Sequence, residues 1–140
     1  MAKPESIAVL TAGGDAPGMN AAVRAVVRTT LALGMRAQGV RRAYEGAVRG
    51  DFIELGARDV GGIIQRGGTV LQTARFPEFS RPEAQQQALQ QLKAHGVDAL
   101  VAIGGDGTMR GAAALHRLGF PVVGIPASIG TAQAIHARLP

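Results

Sequence analysis

Two glycine-rich turns in this chain each hold a single aspartate: Gly13-Gly14-Asp15 in "VLTAGGDAPGMNAAVRAVV" and Gly104-Gly105-Asp106-Gly107-Thr108 in "AIGGDGTMRGAAA". Each follows an apolar run and leads into an alanine-rich segment with helical spacing. Glycine lets a strand turn sharply into a helix and lets backbone approach a ligand with no Cβ in the way. The helix start then offers unpaired N–H groups and the positive end of a dipole, which suits phosphate. Two familiar fingerprints do not fit. No Lys-Ser or Lys-Thr follows either turn, as a P-loop requires, and the dinucleotide pattern beginning at Gly105-x-Gly107 meets Arg110 where it needs glycine. The turns therefore point to a phosphate-bearing ligand held in another way.

Asp106 is the more informative acid. Glycines flank it and no base is adjacent in sequence. A carboxylate beside phosphates suits Mg²⁺, often through water, because Mg²⁺ dehydrates reluctantly. An Asx-type turn or helix cap is the competing role. Asp15 is open between the same two roles, since Asp-x-Pro-Gly is also good turn chemistry. Arg24 and Arg28 share one helix face at i and i+4, where they either grip one anion or face solvent. Arg75 follows Thr73-Ala74 in a polar loop and reads as a clamp or a surface charge. His95 is expected to partner a helix C-terminus. His116 and His136 lack ligand spacing, and Met19 and Met109 read as packing residues.

The elements that must position these residues alternate. Strands are expected at Ser6 to Thr11, Arg36 to Arg41, Ala99 to Ile103 and Val122 to Ile125. Helices are expected at Met19 to Leu33, stopped by Gly34, and at Thr108 to Leu118, stopped by Gly119. A third, from about Arg81 to His95, has Ser80 as its cap, Glu83 completing a capping box and Gly96 as its stop. The glycine-broken stretch from Ala43 to Thr73 reads as short strands with one short helix near Asp59 to Gln65. Strands joined by helices imply a parallel sheet, right-handed crossovers, helices on both faces and binding at the strands' C-terminal ends. No linker-like segment appears, so residues 1–140 read as one α/β domain.

Composition narrows the partners. The chain of 140 residues is 46% hydrophobic with 18% charged residues, which suits a folded domain with a real core. It has no cysteine, hence no disulfide frame and no thiolate chemistry. No apolar run is long enough to span a membrane and no signal-peptide pattern opens the chain, so the expected location is cytoplasmic. The net charge of +5 comes mostly from scattered arginines, with four Phe, one Tyr and no Trp. That pattern lacks the basic stripe and stacking aromatics of a nucleic-acid binder and suits small phosphorylated ligands.

Taken together, "IAVLTAGGDAPGMNAAVRAVVR", "YEG", "IIQRGGTVLQTARFPEF" and "VAIGGDGTMRGA" resemble the first half of a bacterial-type ATP-dependent 6-phosphofructokinase, over roughly Ile7 to Pro126. The resemblance implies a Rossmann-like three-layer fold with a parallel sheet, and phosphorylation of fructose 6-phosphate to fructose 1,6-bisphosphate in glycolysis. It implies an ATP site lined by Gly14, Tyr44, Arg75, Phe76, Gly105, Asp106, Gly107, Thr108 and Gly111. Within that site Asp106 would serve Mg²⁺ and Arg75 would neutralise charge on the transferring phosphoryl group. Arg24 and Arg28 would belong to an ADP effector site at a subunit interface, so a homo-oligomer or a complementing second-half chain is expected.

Departures from the family are expected too: local substitutions, and the lack of the family's second half with its sugar-phosphate arginines and interface partners. After "GIP" the family continues Gly-Thr-Ile-Asp-Asn-Asp, and its first Asp is the general base. This chain reads "ASIGTAQA": Ser128 and Ile129 fit as a substrate-side remnant, while Gly130 stands at the base position and Ala132 at the second acid. Gly62 replaces an acid expected in the effector site. Two readings follow: a phosphofructokinase chain truncated or split after its ATP-binding half and inactive alone, or a non-catalytic ATP/ADP-binding regulatory module. A different enzyme on the same Gly-Gly-Asp scaffold fits less well, because the matching stretches extend beyond that motif.

Overall fold

The four strands expected from the β-branched runs are present, and the glycine-broken stretch from Ala43 to Thr73, read as short strands, supplies one more. In the structure, a computed structural model describing residues 5–12, 18–62 and 70–126, the strands are β1 Ser6–Ala12, β2 Arg36–Val40, β3 Phe52–Leu55, β4 Ala99–Gly104 and β5 Val122–Pro126. The helices are α1 Met19–Ala32, α2 Ala43–Arg49, α3 Ala57–Val60, α4 Pro82–Ala94 and α5 Asp106–Arg117. Gly34, Gly96 and Gly119, the expected stops, have left-handed φ values of 78°, 71° and 90° just past α1, α4 and α5.

The five strands form one sheet in the order β3-β2-β1-β4-β5. β1 pairs in parallel with β2 and β4, and β4 in parallel with β5. β3 departs from the all-parallel expectation by running antiparallel to β2, with Val40 opposite Phe52 and Ala37 opposite Leu55. The cause is the connection. A parallel return needs a crossover of a dozen or more residues, and between β2 and β3 the chain has only α2 and two tight turns. The Arg41 N–H donates to Asp51 O at 3.0 Å, and the Arg41 guanidinium meets the Asp51 carboxylate at 2.8 Å, closing the loop where it starts.

Side-chain alternation makes the layers. Ala8, Leu10 and Ala12 of β1 and Leu100 and Ala102 of β4 face Ala47 of α2, Leu92 of α4 and Leu115 of α5 in one buried cluster. The intervening Val9 and Ile103 face Val23 and Val27 of α1 and Val60 of α3 in a second. The central strands are buried on both sides, which is why β1 and β4 read as nearly continuous apolar runs. Met19 belongs to the second cluster, and the Met109 sulfur lies against Gly124, so both methionines pack as expected.

Four local readings change. Ala43–Arg49, in the stretch read as short strands with one helix further on, is the helix α2, ended by Gly50 with a left-handed φ of 80°. α4 is not capped by Ser80, whose hydroxyl donates to Pro77 O (3.0 Å) and closes a 3₁₀ turn at Pro77–Ser80. Arg81 occupies the cap position instead, because Pro82, with its preset φ and missing N–H, suits the first helical residue. α5 starts at Asp106, two residues before the expected Thr108. The short helix expected near Asp59 to Gln65 is α3, Ala57–Val60, and residues 63–69 lie outside the described residues.

Candidate functional site

In an open, mostly parallel sheet the ligand crevice forms outside the strands' C-terminal ends, where strand order reverses. Here that point lies between β1 and β4. β1 leads to β2 on one side, and β4 continues to β5 on the other. Ala12 and Gly104 end the two strands in register. A Cβ on Gly104 would collide with Ala12 O and the Thr108 hydroxyl, so only glycine allows the strand end and the first turn of α5 this close together.

A cleft of about 1230 Å³ opens above these ends. One wall is Gly105, Asp106, Gly107, Thr108, Arg110 and Gly111 with Ala114 and Arg117; the other is Thr73 through Pro77 with Phe79, Ser80 and Gln85; Ala12, Ala43 and Tyr44 also line it. Gly105 is the N-cap of α5 in extended conformation and supplies no capping side chain. Met109 N–H, bonded to Gly105 O at 3.0 Å, is the first amide of the helix with a protein acceptor. The amides of Asp106, Gly107 and Thr108 have none among the described residues. They are three unused donors at a positive helix end.

Tyr44 locks the walls together. Its hydroxyl donates to Thr108 O at 2.6 Å, and its ring stacks on Phe79 with centroids 4.2 Å apart. Gly111 makes room for it: a Cβ there would lie 2.5–2.8 Å from the Tyr44 ring and hydroxyl. Burial raises the Tyr44 phenol's pKa, so it stays protonated and donating at neutral pH.

Three arginines and one aspartate line the cleft, namely Arg75, Arg110, Arg117 and Asp106. None of the four makes an ion pair among the described residues. Elsewhere Arg36 pairs with Glu54 at 2.9 Å, Arg42 with Asp51 at 3.3 Å and Arg49 with Glu45 at 3.4 Å. The cleft is therefore positive and unneutralised, as an anion site should be. Asp106 is exposed at its lip, and no three His, Cys, Asp or Glu side chains gather into a metal cage among the described residues. A lone carboxylate beside open amides fits a Mg²⁺ ion that keeps most of its water and takes its other ligands from phosphates.

The backbone beside the cleft is strained. Arg42, Ala43 and Gln72 all adopt left-handed φ values, of 61°, 57° and 62°, and the Arg42 N–H donates to Leu71 O at 2.9 Å. Such a conformation costs about 1–2 kcal/mol in a non-glycine residue, while glycine loses about 0.5–1 kcal/mol in chain entropy. Gln72 is exposed, so Gln72→Gly is expected to stabilise the fold by about 0.5–1 kcal/mol. A rise in thermal midpoint checks this, and a fall would mean that the Gln72 side chain stabilises the loop.

Eight of the expected site residues line this one cleft: Tyr44, Arg75, Phe76, Gly105, Asp106, Gly107, Thr108 and Gly111. Gly14 and Asp15 of the first glycine turn lie outside the described residues, as do Ser128, Ile129, Gly130, Ala132 and His136. Arg24 and Arg28 are on α1, in the opposite layer. Arg28 is exposed, and Arg24 is half-buried with its Nε lacking a hydrogen-bond partner. Gly62 is exposed. The His95 Nδ1 donates to Gln91 O at 2.8 Å in the last turn of α4, and its ring stacks on Phe52 at 4.3 Å. His116 is exposed near the end of α5. Sequence reasoning missed Arg110 and Arg117 as lining residues. Their signal was present, since positions 110, 114 and 117 share one face of a helix.

The sequence profile of the family described as phosphofructokinase matches residues 6–131. The chain belongs to the phosphofructokinase family. An ATP-dependent 6-phosphofructokinase of Streptococcus suis (strain 05ZYH33) is 55% identical over 123 residues, covering 88% of this chain and 37% of that protein. The solved phosphofructokinase of Pichia pastoris in the T-state superposes with a TM-score of 0.80 at 34% identity, over 91% of this chain and 15% of that one. Phosphofructokinase from Saccharomyces cerevisiae gives 0.80 at 38% identity, over 89% and 20%. The chain thus spans little more than a third of the Streptococcus suis phosphofructokinase's length.

Proposed function

We propose that this chain supplies the nucleotide-binding part of an ATP-dependent 6-phosphofructokinase, which transfers the γ-phosphoryl group of ATP to fructose 6-phosphate. The observation that carries the proposal is the cleft at the β1/β4 switch point, lined by Arg75, Asp106 and the first turn of α5 with its three open amides. Phosphoryl transfer asks mostly for positioning and charge stabilisation. The amides of Asp106, Gly107 and Thr108 receive the phosphate oxygens. Arg75 supports the charge that spreads over the transferring group. Tyr44, Phe76 and Gly111 shape the nucleoside end, and the family resemblance assigns Gly14 to the same ATP site.

Asp106 would hold Mg²⁺, which when bound supplies charge neutralisation on the phosphates. Arg24 and Arg28, on the far layer, are assigned to a separate ADP effector site at a subunit interface. Weak ADP binding there is in keeping with Gly62, which has no side chain to contribute. The functional unit is an oligomer, or a pairing with a chain carrying the sugar-phosphate half, in the cytoplasm. Among the described residues no helix is long and apolar enough to cross a membrane.

Gly130 and Ala132, standing where the family's pattern has acids, favour a second reading: a module that binds ATP or ADP without catalysis. Both readings require the nucleotide site, and calorimetry tests it. The chain is expected to bind ATP or ADP with Mg²⁺ in the micromolar-to-millimolar range. Asp106→Ala should remove most of the gain in affinity that Mg²⁺ confers, about tenfold. A Mg²⁺ effect that survives the substitution intact excludes Asp106 from the metal role.

A further inference from the structure

α5 brings two arginines to the cleft, Arg110 and Arg117. Seven positions make about two turns, so the pair shares a face at roughly 10 Å separation along the axis. Between them Ala114 is small and buried, leaving the face clear for a ligand lying along the helix. The Arg110 side chain folds back toward the helix start, as helical side chains lean. Its Nη2 lies 3.8 Å from the point a Cβ on Gly107 would occupy. The guanidinium thus sits beside Gly107 in the first turn, the turn whose amides are open. It forms no ion pair with Asp106, one turn away, or with any other acid among the described residues. Both charges remain available to a third group.

Resting on the nucleotide reading of the cleft, we propose that Arg110 is a further phosphate-binding residue, holding the terminal phosphates of a nucleoside di- or triphosphate from the helix side while Arg75 holds them from the loop side. The guanidinium fork matches phosphate oxygens two at a time. Gly107, with no side chain, leaves the guanidinium its path to the turn. Arg117, further along the helix, faces the nucleoside end and serves as the control.

Calorimetry on the full 140-residue chain with Mg²⁺ and ATP, ADP or AMP separates the roles. Arg110→Gln is expected to weaken ATP about tenfold or more, ADP by less, and AMP less than twofold. Arg110→Lys should recover part of the loss, because it keeps the charge without the fork. Arg117→Gln should change all three ligands by one common factor. Unchanged ATP affinity in Arg110→Gln, or an equal loss for ATP, ADP and AMP, overturns the assignment while leaving the nucleotide site in place. A wild-type chain that binds none of the three overturns the nucleotide site itself. Arg110 is exposed, so matching thermal midpoints for wild type and Arg110→Gln are expected, and they separate lost contacts from lost folding.

Discussion

Given ATP, Mg²⁺ and fructose 6-phosphate, the 140-residue chain by itself is expected to form no ADP that depends on the sugar. A kinase of this kind needs an acid to accept the proton of the attacking hydroxyl, and the family pattern places that acid where this chain has Gly130. Glycine has no group to accept a proton, and losing a general base costs about 10²–10⁴-fold. Substrate positioning weighs more still, because correct orientation is worth about 7–11 kcal/mol. The polypeptide corresponds to only 37% of its Streptococcus suis relative, so the rest of that protein has no counterpart in the assay. Gly130→Asp alone is therefore not expected to restore turnover. A coupled assay for sugar-dependent ADP release decides the matter. Turnover above about 1 s⁻¹, ordinary for a kinase, would mean that another residue supplies the base and that a second copy of the chain completes the sugar site.

Gly104→Ala should destabilise the fold by about 3 kcal/mol, near the upper end for overpacking, and lower the thermal midpoint by about 10 °C. The added methyl meets Ala12 O, a backbone atom held in register across β1 and β4, and the hydroxyl of Thr108, which is 3% exposed. Neither neighbour can swing aside. Relief requires β1 and α5 to separate, which opens the floor of the cleft, so nucleotide affinity should fall along with stability. Gly107→Ala is the control. Its nearest neighbour is Arg110 Nη2 at 3.8 Å, an ordinary contact, and a helical Gly→Ala change is worth at most about 1 kcal/mol. Equal midpoints for the two variants would show that the close approach at Gly104 does not constrain the fold.

Much of this was legible in the chain. Buried parallel strands announce themselves as apolar runs, and helices ending at Gly34, Gly96 and Gly119 announce their stops, because these signals are local. The Gly104–Thr108 turn likewise declared a strand-to-helix junction suited to phosphate, since the chemistry of a helix start depends on a few adjacent residues. What the chain could not declare were the meetings of distant segments. Nothing near Tyr44 in sequence says that its hydroxyl reaches Thr108 O across the cleft, or that Gly111 is glycine because the Tyr44 ring lies against it. Ser80 carries a cap's signature, yet the adjacent Pro77–Ser80 turn uses its hydroxyl and Pro82 starts the helix. β3 reads as a strand, but its antiparallel direction depends on how α2 folds back and Asp51 clasps Arg41. By itself, then, the sequence determined the strands and helices outside the Ala43–Thr73 stretch, the phosphate-suited turn and the family. Tertiary structure alone decided which side chains share the cleft, including Arg110, because burial and charge pairing are settled by contacts between residues that the chain keeps far apart.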